Sequence, residues 1–104
     1  MNIQEYLLTT AMEECGELIK VLSKCSRFGM NSEYDGRSNL ERVLAEFSDL
    51  YGVMCLLKEN GIIDRIYDPT MVQAKKEKVM KFANLAAGMG TRSDLENFGK
   101  EGAD

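Results

Sequence analysis

Apolar residues recur at helical spacing along most of the first 87 positions. Ile3, Leu7, Ala11, Leu18, Val21, Leu22 and Cys25 follow a 3.6-residue period and predict a first helix that ends at Phe28, ahead of Gly29. Asn2, with Glu5 three residues on, supplies its start signal. Asn31, Asp35 and Gly36 mark the stretch 29–37 as a loop. Ser38 and Glu41 then form a capping box. The helix they open carries Leu40, Val43, Leu44, Phe47, Leu50, Val53, Met54 and Leu57 and closes at Asn60-Gly61. Ile62, Ile63 and Ile66 make a short apolar connector, interrupted by Asp68-Pro69-Thr70. Thr70 with Gln73 predicts a third capping box and a helix over Met71–Ala86. The pattern gives an all-α helical domain over 1–87, followed by a Gly-rich polar tail, 88–104, with one helical turn near Ser93–Phe98.

Two acidic pairs interrupt this pattern on the side where it should be apolar. At about 100° per residue, Glu14 falls within about 20° of Leu7, inside the apolar arc of the first helix, with Glu17 on its edge and Glu13 further out. Glu46 falls between Val53 and Leu57 on the second helix, and Asp49 lies on the same side at the edge of the arc. A short connection makes the two helices antiparallel neighbours, so these carboxylates would converge. Unpaired, they would repel and raise one another's pKa values. With a divalent ion they form an all-oxygen site of the kind hard cations such as Mg²⁺ prefer. One such pair alone is ordinary for a chain with 11 glutamates, where most pairs are solvated helix surface. Two pairs on apolar arcs of adjacent helices point to a metal site with Glu14, Glu17, Glu46 and Asp49 as ligands.

Composition narrows the chemistry. There is no histidine, which removes His-ligated zinc or iron, Ser–His nucleophiles and the Glu-x-x-His iron pattern. Cys15, Cys25 and Cys55 are odd in number and form no CxxC, so they are expected to be free thiols in a reducing, cytoplasmic setting. A net charge of −4 and a pI near 4.9 argue against a general nucleic-acid partner. No apolar run is long enough for a membrane span, and the N-terminus lacks the layout of a secretory signal.

Glu13-Glu14-Cys15-Gly16-Glu17-Leu18, followed by Glu46-Phe47-Ser48-Asp49-Leu50, resembles the signature of the MazG-like all-α nucleoside triphosphate pyrophosphohydrolases: ExxE, a spacer, then ExxD. The resemblance covers roughly residues 5–85; the spacer is long for that family, and the tail has no counterpart in it. It implies a helical bundle completed by a second copy of the chain, as a homodimer or homotetramer. It also implies hydrolysis of a (deoxy)nucleoside triphosphate between the α- and β-phosphates, with Mg²⁺ (or Mn²⁺) as cofactor. On that reading Glu14, Glu17, Glu46 and Asp49 bind metal, and Glu13 or Glu17 serves as the catalytic base. Lys75 and Lys78 contact the triphosphate from the third helix, in a segment where the family often has Asn and this chain has Gln73. The ordinary role of such a lysine run is a solvated face. Phe47 and Tyr51 fit core packing better than base stacking. The Met residues fit gap filling. Two other readings stay open: phosphoribosyl-ATP pyrophosphohydrolase, which is similar in the second helix, and a non-catalytic helical interaction protein whose acids are relics or hold a structural calcium.

Overall fold

The computed structural model describes residues 1–88; the predicted tail beyond Gly88, with its helical turn near Ser93–Phe98, lies outside them. The described chain is mostly helical: α1 (Ile3–Phe28), a two-stranded ribbon of β1 (Glu33–Tyr34) and β2 (Arg37–Ser38), α2 (Asn39–Glu59) and α3 (Pro69–Gly88). Met1–Ile66 form one compact unit and the chain from Tyr67 a second.

The helix boundaries follow local chemistry. Asn2 Oδ1 accepts from the Glu5 backbone N–H at 2.8 Å, satisfying one of the free donors of the first turn of α1. Gly29 closes α1 at φ 95°, a conformation that disfavours any residue with a Cβ. The capping box of α2 is complete. The Glu41 N–H donates to Ser38 Oγ at 3.1 Å, and the Ser38 N–H donates to Glu41 Oε1 at 3.4 Å. At the far end of α2, the Ile62 N–H reaches the Leu57 carbonyl and the Gly61 N–H the Lys58 carbonyl, each at 2.9 Å. This is a Schellman closure, with Gly61 in the left-handed region at φ 71°.

Two local expectations need correction. The loop after α1 contains a β-ribbon in which Glu33 pairs with Ser38 and Tyr34 with Arg37. Its turn, Asp35-Gly36, has both residues at positive φ (53° and 76°), the backbone that matches the twist of a two-residue hairpin. The cap of α3 is Asp68 rather than Thr70. Asp68 Oδ1 accepts from the backbone N–H groups of Thr70 (2.8 Å) and Met71 (3.1 Å). Pro69 then takes the first helical position, where its missing N–H costs nothing. Gln73 is left to donate to Glu77 Oε1 at 3.3 Å.

The ribbon fixes how α1 and α2 meet. The buried Asn39 donates from Nδ2 to the Gly29 carbonyl at 2.8 Å and from its backbone to Ser32, while the Leu40 N–H reaches the Met30 carbonyl. The end of α1 is thereby tied to the start of α2, and the helices form an antiparallel hairpin. Leu7 and Val21 of α1 and Leu57 of α2 fill the seam.

That seam is thin. Leu7, Val21 and Leu57 are the only buried apolar residues among those described. Exposure instead shows a second apolar stripe on each helix, rotated about 100° from the seam in the same helical sense. On α1 it runs Leu8, Met12, Ile19, Leu22, with Cys15 among them; on α2 it runs Leu40, Leu44, Phe47, Tyr51. Because the helices run in opposite directions, an equal rotation from the seam brings both stripes to the same side of the hairpin. The Phe47 and Tyr51 rings lie 6.4 Å apart there. The charged residues Glu13, Glu14, Glu17, Lys20, Lys24, Arg42, Glu46 and Asp49 are rotated the other way on both helices. One face of the hairpin is largely apolar, with Lys58 at its end, and the opposite face carries the acid cluster and most of the charge.

α3 is described by itself. Its lysines Lys75, Lys76, Lys78 and Lys81 are exposed, as are Met71, Val79, Phe82 and Leu85. None of the described helices is long and apolar enough to cross a membrane.

Candidate metal centre

The acidic residues meet at the middle of the α1–α2 seam. Glu14, Glu46 and Asp49 each offer a carboxylate oxygen, and these oxygens lie within 4.8 Å of one another. Glu14 and Glu46 are half-buried and Asp49 is exposed, so the cluster sits at the lip of the seam and opens onto the charged face. Helical spacing explains the arrangement. Glu46 and Asp49 are one turn apart on α2, and the antiparallel pairing sets Glu14 of α1 against both.

The electrostatics follow from that geometry. The Glu14 carboxyl is pushed above its ordinary value, first by partial desolvation, then by the charges of Asp49, Glu46, Glu17 and Glu13 in that order. The order ranks the neighbours as a wheel drawn from the sequence would not: the two α2 acids across the seam act on Glu14 more strongly than Glu17 and Glu13 of its own helix. None of the described hydrogen bonds of Glu14, Glu46 or Asp49 comes from a Lys or Arg side chain; Arg42, one turn from Glu46, donates to the Tyr34 carbonyl instead.

The residues expected at the site divide into three groups. Glu14, Glu46 and Asp49 come together. Glu17 lies one turn further along α1, exposed and outside the close trio, with its charge felt at Glu14. Glu13 is exposed at the border of the charged face. Lys75 and Lys78 are exposed on α3, one turn apart on one side of that helix. Phe47 and Tyr51, expected to pack in a core, instead lie half-exposed on the apolar face, on the opposite side of the hairpin from the acid cluster.

The donor set suits a hard divalent ion. It consists of carboxylates only, close enough for a single ion to touch all three, with room on the open side for further ligands. Exposed acids also cluster without any ion, so the fit rests on the inward placement of Glu14 and Glu46 as well as on proximity. No family model, curated protein or solved structure matches this chain.

Proposed function

We propose that this chain is a Mg²⁺-dependent nucleoside triphosphate pyrophosphohydrolase, cleaving between the α- and β-phosphates to release a monophosphate and pyrophosphate. One observation carries the reading. The ExxE acid Glu14 and the ExxD acids Glu46 and Asp49, 32 to 35 positions apart in sequence, converge within 4.8 Å at a half-buried seam, where desolvation first and then the charges of Asp49 and Glu46 raise the pKa of Glu14. Desolvating carboxylates beside one another is unfavourable without a counter-ion, and a divalent cation removes that penalty.

The roles follow from position. Glu14, Glu46 and Asp49 hold Mg²⁺ from two helices, with Glu17 completing the set from the exposed side. Bound there, Mg²⁺ supplies charge neutralisation for the phosphate oxygens and acidifies water. Glu13, exposed at the edge of the same face, accepts a proton from the attacking water, with Glu17 as the other candidate for that step.

The working form in this proposal is a homodimer or homotetramer. The hairpin buries too little apolar surface to stand alone, and its apolar face offers eight large exposed side chains. At roughly 100 Å² each these amount to about 800 Å², the area one partner contributes to a standard interface.

Pyrophosphate release across a panel of ribo- and deoxynucleoside triphosphates, with and without Mg²⁺, tests the reaction. Metal-dependent release that disappears in Glu46→Ala, with the helical circular dichroism retained, is the expected result. Inertness toward every nucleotide, phosphoribosyl-ATP included, would leave a metal-stabilised interaction bundle.

A further inference from the structure

The charged face of the hairpin is not uniformly acidic. Beyond the acid cluster, toward the β-ribbon, its sign reverses. Lys24 projects from α1 within about 20° of the direction of Glu17 and two turns, about 10 Å, further along the axis. Lys20 lies between them, rotated somewhat toward the outside. Arg42 projects from α2 within about 20° of the direction of Asp49, one turn, about 6 Å, before Glu46. Lys24 and Arg42 are both half-buried.

These cations are not spent on the acids next to them. Lys20 is three residues from Glu17, the spacing of an ordinary surface ion pair, yet no such pair forms among the described residues. Arg42 is held from the other side: its Nη2 donates to the Tyr34 carbonyl, and its guanidinium lies 5.5 Å from the centre of the Tyr34 ring. The ribbon thus anchors Arg42 while most of its five N–H donors stay available. At the opposite end of the same face stand Tyr6 and Leu56, both exposed and uncharged. Along the hairpin the order is apolar, acidic, basic.

We propose that Lys20, Lys24 and Arg42 form an anion-binding strip that takes the terminal phosphates of a polyphosphate ligand, orienting its nucleoside toward Tyr6 and Leu56. This rests on the pyrophosphohydrolase reading for the identity of the ligand, but not for its phosphate chemistry. Glu14, Glu46 and Asp49 would hold a cation that neutralises charge on the same ligand. The strip meets the phosphates beyond that cation, which the acids alone would repel. Arg42 supplies directional donors, and the two lysines supply point charges.

The probe is inorganic pyrophosphate with Mg²⁺, which carries the phosphates and no nucleoside. Calorimetric binding of Mg-pyrophosphate to the wild-type chain is expected, at least tenfold weaker in Lys20→Gln/Lys24→Gln and restored by Lys20→Arg/Lys24→Arg. Tyr6→Ala should raise KM for a triphosphate and leave pyrophosphate binding unchanged. If the wild type does not bind pyrophosphate, or the glutamine double variant binds it equally well, the strip is wrong. If pyrophosphate binds and depends on the lysines but no nucleotide is cleaved, the strip stands and the pyrophosphohydrolase reading falls.

Discussion

Leu44 gives the sharpest test of the second copy. It lies at the centre of the apolar face and is 69% exposed in the single chain. Full burial of a leucine contributes about 1.5–3 kcal/mol, so covering the exposed two-thirds contributes about 1–2 kcal/mol. A two-fold interface uses every residue twice, which makes the Leu44 share about 2–4 kcal/mol per dimer. Leu44→Asp removes that share and sets two carboxylates into the middle of a face whose large side chains are apolar, with Lys58 only at its end. At about 1.4 kcal/mol per factor of ten, the lost burial alone weakens association by about 30- to 700-fold. Desolvation of the new charges adds to this. Light scattering on a size-exclusion column over a concentration series would show the change as a shift of the midpoint from dimer or tetramer to monomer. Leu56→Asp, on the opposite face and 45% exposed, is the matched control and should leave the midpoint in place. A wild-type chain that is monomeric at every concentration while melting cooperatively would refute the argument. So would a Leu44→Asp chain that assembles like the wild type.

Four further outcomes are expected. Because the Glu14 carboxyl titrates above its ordinary value of 4.5 in the fold, the metal-free folded state binds more protons than the unfolded chain in the interval between the two values. Its stability therefore falls as pH rises through that interval. Thermal melts of metal-free protein should show this fall, and Glu14→Gln should flatten it and raise Tm near neutral pH. Mg²⁺ at a hundredfold excess over its Kd adds about 2.7 kcal/mol, or roughly 10–20 °C in Tm for a chain of this size; a titration that moves Tm by less than a degree would remove the metal from the reading. Glu46→Ala should cost more activity than Glu17→Ala, since Glu46 belongs to the close trio and Glu17 joins it only from the exposed side; equal losses would mean that Glu17 matters as much as the trio. Leu57→Ala, at a site only 3% exposed, should lower stability by about 2–5 kcal/mol in urea titrations, and a loss below 1 kcal/mol would mean that the seam is not the core.

The helices and the inward acids were legible in the chain because their cause is local. Asn2, Ser38 with Glu41, and Asn60-Gly61 act within three or four residues of themselves, the first two opening α1 and α2 and the last closing α2. The ribbon was missed although its signal, Asp35-Gly36, was in plain view: strands of two residues are too short to show a period, and only the paired positive φ values reveal the turn. Asp68 was passed over as a cap because Thr70 with Gln73 also fits the pattern, and the choice depends on which side chain faces the open N–H groups. At the site, the arc positions of Glu14 and Glu46 came from periodicity alone. The ranking of Asp49 above Glu17 as a neighbour of Glu14 depends on the pairing across the seam, which no single-helix wheel contains. The second apolar stripe was readable from the i, i+4, i+7 spacing of Leu40, Leu44 and Phe47, but it merged with the seam until exposure separated the two.

The two faces of the hairpin explain each other. A helix that points Glu14 and Glu46 into its packing seam gives up positions that apolar side chains would otherwise fill, and the seam is left with three buried apolar residues. A hairpin that thin gains little stability from its own burial. The stripe from Leu8 to Leu22 and that from Leu40 to Tyr51 hold eight large apolar residues, rotated away from the acid cluster. Covering that face supplies the missing core without touching the acids, so the chain can hold repelling carboxylates together and still fold. On the proposed function, assembly and metal binding are coupled through stability: Mg²⁺ would relieve the repulsion on one face, association would supply burial on the other, and each would lower the free energy of the same hairpin. The coupling is measurable: Mg²⁺ should raise the Tm of Leu44→Asp by at least as many degrees as that of the wild type, since the destabilised monomer still contains the complete trio. A variant that no longer responds to Mg²⁺ would show instead that the metal site needs the second copy to form.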